Sequence, residues 1–177
     1  MVRIYHKAPE FSTEAYHDGK FTNVNLSDYK GKWVVLFFYP LDCTFVCPTE
    51  LQQFTERHDQ FSRLNAQVLS CSVDSKFSHE AWSKGVLGQQ KYPMLADLNH
   101  AIGTSYGCYL EDKGVELRAT YIIDPQGTLQ WYEMNPLNVG RNADETLRVL
   151  SALQTGELCA AGWKAGEQTL TKKLGLK

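Results

Sequence analysis

Trp33-Val34-Val35-Leu36-Phe37-Phe38-Tyr39-Pro40 is the stretch that decides how this chain is read. Seven consecutive aliphatic or aromatic residues leave no polar face, and Pro40 stops them. A strand exposed on one side alternates apolar and polar residues. One that is apolar throughout belongs inside a sheet covered on both faces by helices. The run is far too short to cross a bilayer. Just downstream, Pro48 suits a first helical turn, where its missing N–H costs nothing. Leu51, Phe54, Phe61 and Leu64 then recur at helical spacing between Glu50, Gln53, Arg57 and Asp59. The spacing predicts an amphipathic helix to about residue 65. Leu69, Cys71 and Val73 alternate with Val68, Ser70 and Ser72, which predicts a second strand over 67–73.

Farther out the signals are shorter. The segment up to Lys32 is polar and punctuated by Asp18-Gly19 and Lys30-Gly31, with short strands expected around 21–26. Helices are expected over 77–86 and 101–106. Ala119 to Ile123, the turn Asp124-Pro125-Gln126-Gly127, and Thr128 to Tyr132 read as a β-hairpin. Asn142 with Glu145 three residues on reads as a capping box opening a helix through Leu147, Leu150 and Leu153. This order describes an α/β fold, a central mixed β-sheet flanked by helices. The 177 residues suffice for one domain, expected over 1–153, burying roughly 70% of the unfolded chain's surface. Residues 154–177 form an extended C-terminal tail in which Cys159 and Trp163 stand among Gly, Ala and Lys. It is too polar for core and too marked for a mere linker.

Eighteen Lys and Arg against twenty Asp and Glu give a net charge of -2, which offers no basic field for nucleic acid. Nothing in the chain suggests a membrane partner. The first residues, Met-Val-Arg-Ile-Tyr-His-Lys, lack the apolar stretch of an export signal, so a cytoplasmic, reducing location is expected. The five cysteines, Cys43, Cys47, Cys71, Cys108 and Cys159, are odd in number and widely spread, unlike a disulfide framework. The five histidines show no ligand spacing, and a structural metal site is not expected.

The thiols differ in setting. Cys71, on the apolar face of its strand, reads as a core residue, and Cys108 in Ser-Tyr-Gly-Cys-Tyr-Leu also reads as structural. Cys43 falls in a loop and reads as incidental. Cys47 follows a buried strand and a tight loop and directly precedes Pro48 at a helix start. Unpaired N–H groups and the positive end of the helix dipole favour an anion there, and the thiolate is the nucleophilic form. From position alone, a reactive thiol and a half-polar loop thiol stand level. Cys159 is either an incidental surface thiol or the partner of a distant reactive one.

The segment Phe38-Tyr39-Pro40-Leu41-Asp42-Cys43-Thr44-Phe45-Val46-Cys47-Pro48-Thr49-Glu50 resembles the active-site motif of the peroxiredoxins, Pro-x-x-x-Thr-x-x-Cys. Arg118-Ala119-Thr120-Tyr121-Ile122-Ile123-Asp124-Pro125-Gln126-Gly127 is similar to the family's second signature. Glu157-Leu158-Cys159-Ala160, followed by Trp163, is similar to the C-terminal segment of its typical 2-Cys branch. Similarity runs from about Ala8 to Leu170 and is greatest to the alkyl hydroperoxide reductase C subunit type. The resemblance implies a thioredoxin-like fold and a thiol-dependent peroxidase that reduces hydrogen peroxide and alkyl hydroperoxides. Cys47 would be the nucleophile, Thr44 would hydrogen-bond thiolate and substrate, and Pro40 would shield the pocket. Arg118 would stabilise the developing charge, with Glu50 and Arg141 supporting it. Cys159 would resolve the Cys47 sulfenic acid as an intersubunit disulfide within a homodimer, and dimers would assemble into a decameric ring. The reductant would be a thioredoxin-like protein, a flavoprotein or an adaptor, and no cofactor is implied.

Taken singly, each of these residues has a plainer reading: Thr44 caps a turn, Pro40 ends a strand, Arg118 is a surface charge. Trp82 matches a family position near the pocket, but its amphipathic setting reads as core. A ring-forming holdase chaperone or redox relay is the competing function, which would have no use for Arg118. A thioredoxin-like disulfide oxidoreductase is disfavoured by the lack of Cys-x-x-Cys. The chain departs from the family pattern in three places. Cys43 stands where phenylalanine is usual, and Ala160 replaces a common proline. Gly85-Val86-Leu87-Gly88 only partly matches the segment of overoxidation-sensitive members, which implies slow conversion to sulfinic acid.

Overall fold

The doubly apolar run forms strand β3 (Trp33–Phe38), and it lies where its two-sided character requires, inside a seven-stranded mixed sheet. The structure, a computed structural model, describes residues 2–176. Polar, turn-rich sequence precedes β3 and folds as a hairpin, β1 (Ser12–His17) and β2 (Lys20–Asn25), turned at Asp18-Gly19. Helix α1 (Cys47–Arg63) then leads to β4 (Ala66–Ser72), which pairs parallel to β3 with Val35 opposite Val68. Helix α2 (Lys76–Lys84) leads to the three-residue β5 (Met94–Ala96), and α3 (Ala101–Tyr106) to a separate two-stranded ribbon, β6 (Tyr109–Leu110) and β7 (Val115–Glu116). The predicted hairpin is β8 (Arg118–Ile123) and β9 (Leu129–Asn135); β8 runs antiparallel to β3. Helix α4 (Ala143–Thr155) and the one-turn α5 (Leu170–Lys173) complete the chain. The sheet order is β2-β1-β5-β4-β3-β8-β9.

Residue parity along the strands divides the core. Val35, Phe37, Val68 and Ile122 face α1 and α4, where Leu51, Phe54, Phe61, Leu147 and Leu150 meet them. Phe37 stacks on Phe54 with ring centroids 4.2 Å apart. Val34, Leu36, Phe38, Leu69, Cys71, Tyr121 and Ile123 face the other way, towards Ile102, Tyr106 and Cys108. Cys71 and Cys108 are thus core thiols, as their settings imply, and Trp82 is core on the α1 side.

Two local expectations need correcting. The Asn142 side chain caps α4 by accepting from the Asp144 N–H at 2.9 Å, but Glu145 pairs with Arg148 instead of reaching back, so the capping box is only half made. The tail is not merely polar. Trp163 is buried, its indole N–H donates to the Glu167 carbonyl and its own carbonyl accepts from Arg148 Nη1. Helix α4 also continues two residues beyond residue 153.

Candidate active site

Cys47 is the first residue of α1, and its side chain is 1% exposed. The helix starts without a side-chain cap: Val46 holds the N-cap position and makes no such bond. Pro48 occupies the first turn, so the chain enters the helix stiffly just below the sulfur. On the neighbouring strand β8, Arg118, Thr120 and Ile122 share one face by parity, the face that α1 covers. That places the Arg118 guanidinium beneath the start of α1, with Nη1 3.5 Å from the Cys47 sulfur.

Glu50, one turn after Cys47, holds this cation. Its Oε2 accepts from Arg118 Nη1 at 2.6 Å, and its Oε1 accepts from Arg141 Nε at 2.8 Å and from the Arg141 backbone N–H at 2.9 Å. Arg118 Nε donates to the Leu137 carbonyl, and Arg141 Nη1 to the Ala119 carbonyl at 2.7 Å, so neither guanidinium is free to swing. The Arg141 guanidinium also lies over the Phe37 ring, 5.2 Å from its centroid. All three charged side chains are buried. Burial works against the charge on Glu50, but Arg141 and then Arg118 outweigh it and hold the carboxyl below its ordinary range. Burial likewise opposes the charge on Arg118, and contact with the Cys47 sulfur and Glu50 more than offsets it. Two guanidinium charges against one carboxylate leave a surplus of one positive charge, and it faces the sulfur. A thiolate at Cys47 would neutralise the cluster.

Pro40 is buried at the end of β3 and Thr44 is half-buried in the loop that follows. The Thr44 hydroxyl donates to the Leu41 carbonyl at 3.0 Å. Cys43 lies on the loop surface with a positive φ of 56°, a left-handed conformation uncommon outside glycine. What burial it has, and then the Asp42 and Asp74 carboxylates, push the Cys43 thiol up. Burial raises Cys71 and Cys108 in the same direction.

Cys159 lies towards the other end of α1. It sits after α4, its sulfur 3.5 Å from Thr155 Oγ1, and Gln154 beside it donates to the Leu64 carbonyl at the C-terminal end of α1. Cys47 begins the same 17-residue helix, so its length, about 25 Å, lies between the two ends. Cys47, Glu50, Arg118 and Arg141 are therefore brought together, Pro40 and Thr44 flank them, and Cys159 of the same chain does not join them.

One buried network escaped the sequence reading. Asp42 accepts from the Tyr39 hydroxyl at 2.7 Å and from the Ser78 hydroxyl at 2.8 Å. Its Oδ2 lies 2.8 Å from His79 Nδ1, and its own N–H donates to Asp74. The network ties the loop carrying Pro40 and Thr44 to α2. Only the polar residues bounding an apolar run hinted at it.

A buried thiol set against an Arg–Glu–Arg cluster with one positive charge to spare, at a helix start beside the central strands of a mixed sheet, is the arrangement of a thiol-based redox enzyme. Comparison makes the class specific. The model of the AhpC/TSA family matches residues 4–132. Peroxiredoxin prdx-2 of Caenorhabditis elegans is 50% identical over 96% of this chain and 88% of its own length. A putative peroxiredoxin in the rubredoxin operon of Clostridium pasteurianum is 48% identical over 96% of this chain and all of its own. Among solved structures, reduced 2-Cys peroxiredoxin of Plasmodium vivax superposes with a TM-score of 0.91 at 38% identity, covering 95% of this chain and 92% of that one. AhpC of Enterococcus faecalis gives 0.86 at 41% identity, covering 96% and 99%. The chain belongs to the AhpC/TSA family and is a typical 2-Cys peroxiredoxin with a thioredoxin-like fold. It is a thiol-dependent peroxidase; membership implies a peroxide substrate, a thioredoxin-type reductant and homo-oligomeric assembly.

Proposed function

We propose that Cys47 is the nucleophile towards hydrogen peroxide and alkyl hydroperoxides. The observation that carries this is the Arg118 guanidinium, 3.5 Å from the sulfur and fixed there by Glu50. The Cys47 thiolate attacks one peroxide oxygen, the S–O bond forms as the O–O bond breaks, and the departing alkoxide or hydroxide takes up a proton. Cys47 becomes the sulfenic acid. Arg118 balances the charge that moves from sulfur to the leaving oxygen. Glu50 and Arg141 act as positioning residues, orienting Arg118. Pro40 closes one side of the site. Thr44 serves substrate or thiolate once its hydroxyl leaves the Leu41 carbonyl.

Cys159 of a second subunit then attacks the sulfenic sulfur, expelling water and forming an intersubunit disulfide that an external dithiol reduces by exchange. The separation of Cys47 and Cys159 along α1 supports a partner subunit as the source of the second thiol. So does the edge position of β9 with half-exposed Tyr132 and Met134, a surface suited to another copy. Phe45, 95% exposed beside the site, suits a further contact between dimers in a decameric ring. Residues 1–153 form the peroxidase domain, and 154–177 a tail that must leave its seat around Trp163 for Cys159 to reach Cys47. The reductant is a thioredoxin-like protein, a flavoprotein or an adaptor. Five unpaired cysteines suit a reducing cytoplasm, and no helix among the described residues is long and apolar enough to cross a membrane.

Non-reducing electrophoresis after one equivalent of hydrogen peroxide tests the cycle. The native sequence is expected to give a disulfide-linked dimer, and Cys159→Ser only monomer. A crosslinked dimer persisting in Cys159→Ser would reject the assignment of the second thiol. Mass spectrometry of the same native samples is expected to find no Cys47 sulfinate.

A further inference from the structure

On the far face of the sheet Cys71, Asp97 and Glu116 converge. The Cys71 sulfur and one oxygen from each carboxylate all lie within 4.8 Å of one another, and the three residues are 0%, 1% and 0% exposed. Neither Glu116 oxygen receives a hydrogen bond from an N–H or hydroxyl group, the Asp97 carboxyl being its hydrogen-bonding neighbour, and among the described residues no Lys, Arg or His pairs with Asp97 or Glu116. Asp97 is held in place, its oxygens accepting from the N–H groups of Ile102 at 3.1 Å and Gly103 at 2.8 Å. Room for Glu116 is built in. A Cβ at position 103 would come within 2.6 Å of Glu116 Oε1, so the helix carries glycine there although glycine costs about 1 kcal/mol in a helix interior.

We propose that Cys71, Asp97 and Glu116 bind one divalent cation of the Zn²⁺ class on the sheet face opposite Cys47. One thiolate and two carboxylates are a borderline ligand set that suits Zn²⁺ better than the hard cations Mg²⁺ or Ca²⁺, and three protein ligands leave a fourth position for water. Tetrahedral Zn²⁺ would draw sulfur and oxygen to about 3.5 Å from one another, a small contraction. The ligand atoms must be deprotonated to hold a cation, so its uptake releases protons. A surface pocket of about 320 Å³, with Glu10 and Glu14 in its wall, reaches Asp97 and gives a cation an acidic approach.

The test uses the full chain carrying Cys43→Ser, Cys47→Ser and Cys159→Ser, which leaves only Cys71 and Cys108 as thiols. After dialysis against a chelator it is titrated with Zn²⁺ in competition with a chromogenic chelator, and with Cd²⁺ while the ultraviolet thiolate-to-metal band is recorded. One equivalent of each is expected, with the Cd²⁺ band lost on adding Cys71→Ala. Adding Glu116→Gln is expected to weaken Zn²⁺ at least ~10-fold, since even groups behind a metal ligand cost that much. Glu116→Gln keeps shape and removes the burden of a buried acid, so its melting midpoint in chelator should equal or exceed the parent's. That control separates lost ligation from lost folding. Failure to bind an equivalent, or binding indifferent to both substitutions, would overturn the proposal.

Discussion

Both faces of the central sheet bury a thiol beside carboxylates, and the two groups are built with opposite electrical balance. Around Cys47 a single carboxylate, Glu50, sits between two guanidinium groups, so positive charge is in excess where the sulfur lies. Around Cys71 the carboxyl groups of Asp97 and Glu116 meet the thiol with no cationic side chain among the described residues paired to either. Burial is nearly the same, 1% against 0%. Depth alone therefore does not set what a thiol does. The sign of the charge fixed beside it decides whether an anion on sulfur is stabilised or opposed. Burial first, and then Glu116 and Asp97, push Cys71 up, which suits a thiol that stays protonated unless a cation replaces the proton.

Substitution can break this contrast. Arg118→Met removes the cation from the Cys47 side and leaves Glu50 with Arg141 alone. A steady-state assay is expected to show kcat/KM for peroxide lowered by about 10²–10³-fold, the scale of losing one fixed donor to developing charge. A loss of only a few-fold would mean that Arg118 is structural. Glu50→Gln keeps both cations and removes what balances them, so urea unfolding at neutral pH should show a loss of about 3–5 kcal/mol. Because the fold holds the Glu50 carboxyl below its ordinary value of 4.5, its stabilisation is complete above that pH. It is lost as pH falls towards the folded-state value. Between roughly pH 5 and 3 the native sequence should therefore lose more stability than Glu50→Gln does. Parallel pH dependences would refute the charge account. Cys71→Ala is expected to change least, with peroxidase turnover unaltered and stability in chelator lowered by about 1 kcal/mol.

What could be read from the sequence follows the same divide. The residues around Cys47 lie on strongly patterned elements: β3 is apolar on both faces, α1 has a helical stripe opened by Pro48, and the β8–β9 hairpin carries its turn residues in order. The partnership of Glu50 with Arg141 spans 91 residues, which no periodicity reveals, and only the resemblance to a family pointed to it. Strand β5 was missed because three buried residues make no period. Strand β1, between β2 and β5, carries no such signal because Ser12, Thr13, Glu14 and His17 leave it mostly polar. Trp163 looked like a tail residue because its burial depends on Arg148 and Glu167, contacts that composition does not record. Nothing in the sequence around Glu116 sets it apart. Only the fold brings it against Gly103.

The central claim is that, of five thiols, Cys47 alone is set up to attack peroxide. Reduced Cys159→Ser, in which a sulfenic acid cannot pass to the second thiol, should be given one equivalent of hydrogen peroxide with a sulfenic-acid-trapping reagent present, then mapped by peptide mass spectrometry. The account predicts the adduct on Cys47 and none on Cys43, Cys71 or Cys108. An adduct chiefly on any of those three, with Cys47 unmodified, would contradict it.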